Sequence, residues 1–409
     1  MTTIERKTSR GLVSGVCDPK FAGVLDAFVE NFEQRGEIGA SVAIMLEGRT
    51  VVDLWGGQTS DGGAAWERDT ICVVFSCTKG ASAFCAHMAA DRGLLDLDAG
   101  VGKYWPEFAA NKHGARVSMM LDHSVGVPGV RAELKQGAYY DYDYMCAQLA
   151  AEAPFWKPGT RNGYHGLTSA WTVGEMVRRA TGQRMGAFFA QEIARPLGID
   201  FWMGLPESEE GRVAPVIPYP PDDKARSTRI ALACKADPMG PAGRFMLNSG
   251  GFNANHRAAR AAEIGSASGV SNGRGLAGLY APLANGGALM GRRYVSTDTL
   301  ARMGRISVAT HEDATLMIPT RFSLGFMKSM DNRALDNAEN CSVILSEPAF
   351  GHVGAGGSLG FADPAAHLSF GYAMNRMGLG ILMNDRGQSL VDAAYRALGG
   401  RSNASGAWV

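Results

Sequence analysis

Apolar residues recur at helical spacing from Phe21 to Phe32 (FAGVLDAFVENF), which predicts an amphipathic helix. Just beyond it, Ser41 to Gly57 (SVAIMLEGRTVVDLWGG) reads as two β-rich runs joined by a short Glu47-Gly48-Arg49 turn, so a hairpin follows the helix. A further run, Cys72 to Phe75, leads into a helix of small residues that begins at Ser76 (SCTKGASAFCAHMAADRG) and stops at Arg92-Gly93. From residue 96 to 299 the texture is mainly helical, as in Leu167 to Thr181 and Leu276 to Leu289, with interruptions such as Ala214 to Asp223 (APVIPYPPDD). From about residue 320 it changes to short β-like runs: RFSLGFM, FGHVGAG, SLGFA and LSFGYAMN, with Asp363-Pro364 as a turn and a last helix from Gln388 to Leu398.

Strands at both ends of the chain therefore bracket a helical middle. The expected architecture is α/β in the broad sense (α+β): one antiparallel sheet assembled from both ends, flanked by helices, with a mainly helical domain beside it. The expected division is residues 1–75 with 300–409 for the mixed α/β domain and 76–299 for the helical domain.

Composition narrows the partners. The chain has 409 residues, 46% hydrophobic and 20% charged, with formal net charge zero, enough for a large core but without the electrostatic footprint of a nucleic-acid or anionic-membrane binder. Small molecules are the expected partners. No apolar run reaches membrane-spanning length, and the N-terminal MTTIERKTSRGLVSG carries positive charge with no apolar segment behind it, so a cytoplasmic protein is expected. Seven cysteines lie scattered without C-x-x-C pairing, several of them (Cys72, Cys85, Cys146) among apolar neighbours, which argues against a disulfide framework and a zinc site. H-E-x-x-H spacing is also absent; neither metal nor cofactor is expected.

Two serines compete as nucleophile. Gly356 to Gly360 (GGSLG) fits the lipase pentapeptide G-x-S-x-G around Ser358, and Ser76 to Lys79 (SCTK) fits S-x-x-K. A lipase elbow needs a strand, a sharp turn and a helix, followed in chain order by an acid and a histidine. Ser358 instead lies in a glycine run between two β-like stretches, with only His367 after it, so glycines permitting close backbone approach are the better reading there. At Ser76 the i, i+3 spacing at a helix start sets hydroxyl and amine on one face, where the helix N-terminus favours an oxyanion and disfavours a charged lysine. Lowering a lysine from about 10.4 to about 7.5 takes roughly 4 kcal/mol, more than one dipole supplies, so burial and a second group are required.

The second group is suggested by a wider pattern. PFWKPGTRNGYHGLTSAWTVGEMVRRATG around Tyr164, together with VVFSCTKG, LDHSVGVPG, FGHVGAGGSLGFADP and FGYAMNRMG, resembles the serine β-lactamase-like superfamily (class C β-lactamases and penicillin-binding proteins), and within it the family VIII carboxylesterases. The resemblance covers nearly the whole chain and implies a β-lactamase/transpeptidase-like fold with the cleft between its domains. It implies Ser76 as nucleophile, Lys79 and Tyr164 sharing the proton work, the amides of Ser76 and Ala355 as oxyanion hole, and an H-x-G element, His352 to Gly354, on the substrate side. A tyrosine beside a lysine can be held partly as phenolate, the two titrating as a unit. The sequence departs from the lactamase pattern at His352, where class C enzymes have Lys, and at Gly166, where they have Asn. A largely neutral histidine is a poor anchor for a carboxylate, which favours uncharged ester substrates over penicillins. The GGSLG segment falls on what is expected to be an edge strand lining the site. A structural role is expected for His123, an orientation away from the site for His165, and a core position for Cys77. The implied activity is hydrolysis of carboxylic esters, short acyl chains by family expectation, through an acyl-enzyme. The alternatives are β-lactam or amide hydrolysis, acyl transfer, or a non-catalytic ligand-binding homologue.

Overall fold

The computed structural model describes residues 1–335, 342–402 and 406–409. The predicted hairpin forms from Gly39–Leu46 and Arg49–Gly57. Its two loop residues, Glu47 and Gly48, both take positive φ (52° and 74°), the conformation whose twist matches paired strands. This hairpin sits inside one ten-stranded antiparallel sheet in the order Thr2–Thr8, Gly11–Cys17, Arg49–Gly57, Gly39–Leu46, Leu368–Met374, Leu359–Asp363, Phe350–Val353, Met327–Lys328, Thr320–Phe322, Val308–Thr310. N- and C-terminal segments meet where Gly39–Leu46 pairs with Leu368–Met374. The opening hairpin, Thr2–Thr8 with Gly11–Cys17, was not anticipated, because its outer strand buries neither face and so carries no hydrophobic period.

Side chains alternate across the sheet and the two faces differ in size. Leu359, Phe361, Phe370 and Tyr372 point to the face covered by the helices Ala22–Gln34 and Asp385–Ala397, where Phe361 and Phe370 stack at 5.2 Å. Gly360, Ala362, Gly371 and Ala373 occupy the other face, which lets the helix Gly273–Ala284 lie close against it. A Cβ at Gly371 would run into the carbonyl oxygen of Gly273. That helix falls in the stretch expected to belong to the helical domain, yet it packs on the sheet; its apolar stripe fits a sheet face as well as a helix face, and periodicity cannot tell them apart. The helix Thr78–Asp91 is buried from Thr78 to Ala89, all round, which its small apolar residues allow, and it packs on Ser169–Thr181.

Candidate active site

Three local features present Ser76. The short strand Cys72–Val73 pairs with Val270–Ser271, and Val74 N–H donates to Gly269 O at 2.9 Å, fixing the approach. Phe75 then adopts φ 43°, a left-handed conformation that costs a bulky side chain on the order of 1–3 kcal/mol and turns the chain sharply. Thr78 Oγ1 donates to Phe75 O at 2.5 Å and accepts from Gly269 N at 2.9 Å, which locks the turn. Ser76 thus lies in a single turn of 3₁₀ helix, Phe75–Cys77, just before the helix that carries Lys79.

The three groups singled out by sequence converge. Lys79 Nζ lies 3.1 Å from Ser76 Oγ, 2.5 Å from Gly166 O and 3.0 Å from Ser266 O, and 4.8 Å from the centre of the Tyr164 ring. Ser76 is 7% exposed, Lys79 5% and Tyr164 0%. Burial drives the Lys79 pKa well below the ordinary lysine value, only weakly opposed by the Cys77 thiol. With the amine neutral, the two carbonyls would take both its N–H bonds and leave its lone pair for the serine hydroxyl. Burial likewise raises the Tyr164 pKa above its ordinary value, partly offset by the Ser76 side chain, and its hydroxyl completes no hydrogen bond among the described residues. Against the partial phenolate expected from sequence, desolvation disfavours the charged forms of both the phenol and the amine.

Tyr164 is held from behind by a residue that the sequence did not single out. Asp313, fully buried, accepts the Tyr164 N–H on both carboxylate oxygens (2.9 and 3.0 Å), the amides of Thr315 and Leu316 (both 2.8 Å), and the Thr320 hydroxyl (3.3 Å). No motif marks it; its partners are 149 residues away or lie within a loop without periodicity.

Ser76 and Tyr164 open onto a cavity of about 540 Å³, walled by residues such as Phe75, Ile230, Phe245, Leu316 and Ile318. Among the described residues its lining contains no Asp, Glu, Lys, Arg or His. Ala355 lies on the same wall, and neither its amide nor that of Ser76 has an intramolecular acceptor among the described residues.

The profile of the beta-lactamase family matches residues 24–395. The chain belongs to the beta-lactamase family. Esterase/beta-lactamase LipL of Mycobacterium tuberculosis is 34% identical over 381 residues, covering 91% of this chain and 85% of that protein. The crystal structure of a family VIII carboxylesterase aligns with TM-score 0.82 at 40% identity, over 94% of this chain and 99% of that one. A penicillin-binding protein homologue from Caulobacter crescentus aligns with TM-score 0.84 at 33% identity, over 94% and 99%. These likenesses agree with the resemblance drawn from the motifs and with the β-lactamase/transpeptidase-like fold.

The positions where this member of the beta-lactamase family departs from the lactamase motifs can now be located. His352 and Gly354, expected on the substrate side, are both buried and line no part of the cavity. The His352 ring lies 6.1 Å from that of Tyr164, its Nδ1 bonded to Val353 O at 2.8 Å, and burial lowers its pKa to about 3, so it is a neutral wall behind the tyrosine. Gly354 is a packing position, since a Cβ there would strike Val74 O. The GGSLG segment is not on an edge: Phe350–Val353 and Leu359–Asp363 are both interior strands. Ser358 sits between them, wholly buried, its hydroxyl without a partner among the described residues.

The remaining residues are where the sequence put them. His123 packs edge-on against Tyr164 at 4.9 Å, and its Nδ1 accepts the His165 amide at 3.3 Å. His165 faces away, its Nε2 accepting from Val127 N at 2.8 Å. Cys77 donates to His352 O at 3.3 Å in the core, where burial pushes its thiol pKa up and leaves it unreactive.

Proposed function

We propose that this protein is a serine carboxylesterase that cleaves uncharged carboxylic esters through an acyl-enzyme on Ser76. The observation that carries this reading is the Lys79 amine, buried, its N–H bonds directed at two backbone carbonyls, and 3.1 Å from a serine hydroxyl at the mouth of a cavity without charged lining residues. Lys79 takes the Ser76 proton as Oγ attacks the ester carbonyl, and the resulting oxyanion is received by the free amides of Ser76 and Ala355. Collapse breaks the bond to the alcohol, whose oxygen takes a proton through the Tyr164 hydroxyl, refilled from Lys79. Water then adds to the acyl-enzyme with Tyr164 and Lys79 in the reverse roles, releasing the acid and restoring Ser76. His352 and Gly354, behind these groups, serve to hold them.

Hydrolysis of β-lactams or amides uses the same intermediate, and the Mycobacterium tuberculosis relative, Esterase/beta-lactamase LipL, is named for both activities. An uncharged wall offers nothing to the carboxylate of a penicillin, which places esters first. Six described cysteines without disulfides fit a reducing compartment, the cytoplasm. The deciding experiment compares turnover of a nitrophenyl ester and of a chromogenic cephalosporin, with labelling by a fluorophosphonate. Ester turnover and labelling that vanish in Ser76→Ala and persist in Ser358→Ala are expected; the reverse pattern overturns the assignment.

A further inference from the structure

Gly166 poses a question that its backbone does not answer: its φ is not among the positive ones, so any residue could adopt its conformation. What excludes a side chain there is Phe245. A Cβ at Gly166 would fall inside the contact radius of the Phe245 ring at Cε2 and Cζ, with Cδ2 at 3.0 Å. Phe245 comes from the helix Pro241–Leu247, far along the chain, and its ring also meets Tyr164 edge-on at 6.2 Å and 86°. Gly166, Tyr164 and Phe245 all line the cavity beside Ser76, and the Gly166 carbonyl is the one that holds Lys79 at 2.5 Å.

The ring is also fixed from its own side. Arg244 Nε donates to Val130 O at 3.0 Å, and Asn248 Nδ2 donates to Val130 O and Ala132 O at 2.8 and 2.9 Å, pinning both ends of the segment that carries it. Leu167, Ile230, Leu316 and Ile318 belong to the same apolar cluster as Phe245 and line the cavity with it, while Thr228 and Ser249 are polar residues elsewhere in that lining.

We propose that Gly166 and Phe245 form one specificity-determining pair, in which the ring fills the volume of the missing side chain and selects ester groups that are apolar against groups that must hydrogen-bond at that wall. An amide placed against the ring would lose its water to a surface that forms no hydrogen bond, whereas an alkyl chain gains contact with it. The proposal deepens the Ser76 reading and rests on it; phosphonate labelling of Ser76→Ala tests that reading separately.

The test has two arms. In a double-mutant cycle, Gly166→Ala is expected to lower kcat/KM for nitrophenyl pentanoate about tenfold in the natural background, and less than about threefold with Phe245→Ala also present. If Gly166→Ala alone does not fold, recovery of soluble, active protein in the double variant supports the pairing and failure to recover overturns it. In the selectivity arm, nitrophenyl pentanoate is compared with the nitrophenyl ester of N-acetylglycine, of similar length but with an amide in the acyl group. The natural enzyme should prefer pentanoate, and the Gly166→Asn, Phe245→Ala double variant should move the kcat/KM ratio at least about tenfold toward the amide-bearing ester. Equal factors in both backgrounds, or an unchanged ratio in a variant that still labels with phosphonate, would overturn the proposal without touching the role of Ser76.

Discussion

Replacing Lys79 by Met asks whether the fold carries that lysine uncharged. Burial lowers its pKa well below 10.5, so the unfolded chain binds more protons at this position than the fold does. Natural protein must then gain stability as pH rises toward the ordinary lysine value, because deprotonation removes a cost that only the folded state bears. Lys79→Met has no such group, and His123, His165 and His352, whose pKa values Lys79 helps to lower, are neutral in both proteins at alkaline pH, so there the difference between the two stabilities isolates it. Across this window the difference should move in favour of the natural protein by about 1.4 kcal/mol per pH unit, or about 2 kcal/mol between pH 8.5 and pH 10. The absolute offset is a separate matter: Met leaves the carbonyls of Gly166 and Ser266 without their donor, about 1–3 kcal/mol each, at every pH. Urea unfolding of both proteins, followed by tryptophan fluorescence at four pH values, gives the difference directly. Parallel curves would mean that Lys79 is charged in the fold and cannot serve as the neutral base proposed for Ser76.

Tyr164→Phe should lower kcat about 10²- to 10⁴-fold while leaving the urea midpoint unchanged or slightly higher, since the lost hydroxyl is buried without a completed hydrogen bond. Asp313→Ala strands the amides of Tyr164, Thr315 and Leu316; a loss of about 3 kcal/mol in chemical unfolding is expected, with Asp313→Asn milder because it still accepts from part of that set. Arg386 Nη1 pairs with Glu37 Oε1 at 2.6 Å, both deeply buried, so Arg386→Met should cost about 3–5 kcal/mol, and Glu37→Gln in the same chain should return part of it; no recovery in the double variant would show that the cost lies elsewhere.

How much was readable beforehand depends on how far each constraint reaches along the chain. The S-x-x-K pair was legible because one helical turn brings its members together, and the hairpin at Glu47-Gly48 because its turn residues dictate its geometry. Tyr164 was legible only through a familial pattern, since nothing local in Tyr164-His165-Gly166 announces a reactive phenol. The sequence by itself determined the residue types, the sheet built from both ends and the helical middle, all of which follow from short-range period and turn chemistry. Only the tertiary structure decided the direction in which the pKa values of Lys79 and Tyr164 shift, because desolvation is a property of everything packed around a group. It alone placed Asp313 behind Tyr164, packed the His352 ring 6.1 Å from that of Tyr164, and set Phe245 in the space that Gly166 leaves open. Each of these joins segments tens to hundreds of residues apart, and contact at that separation is fixed by packing, which no local pattern encodes.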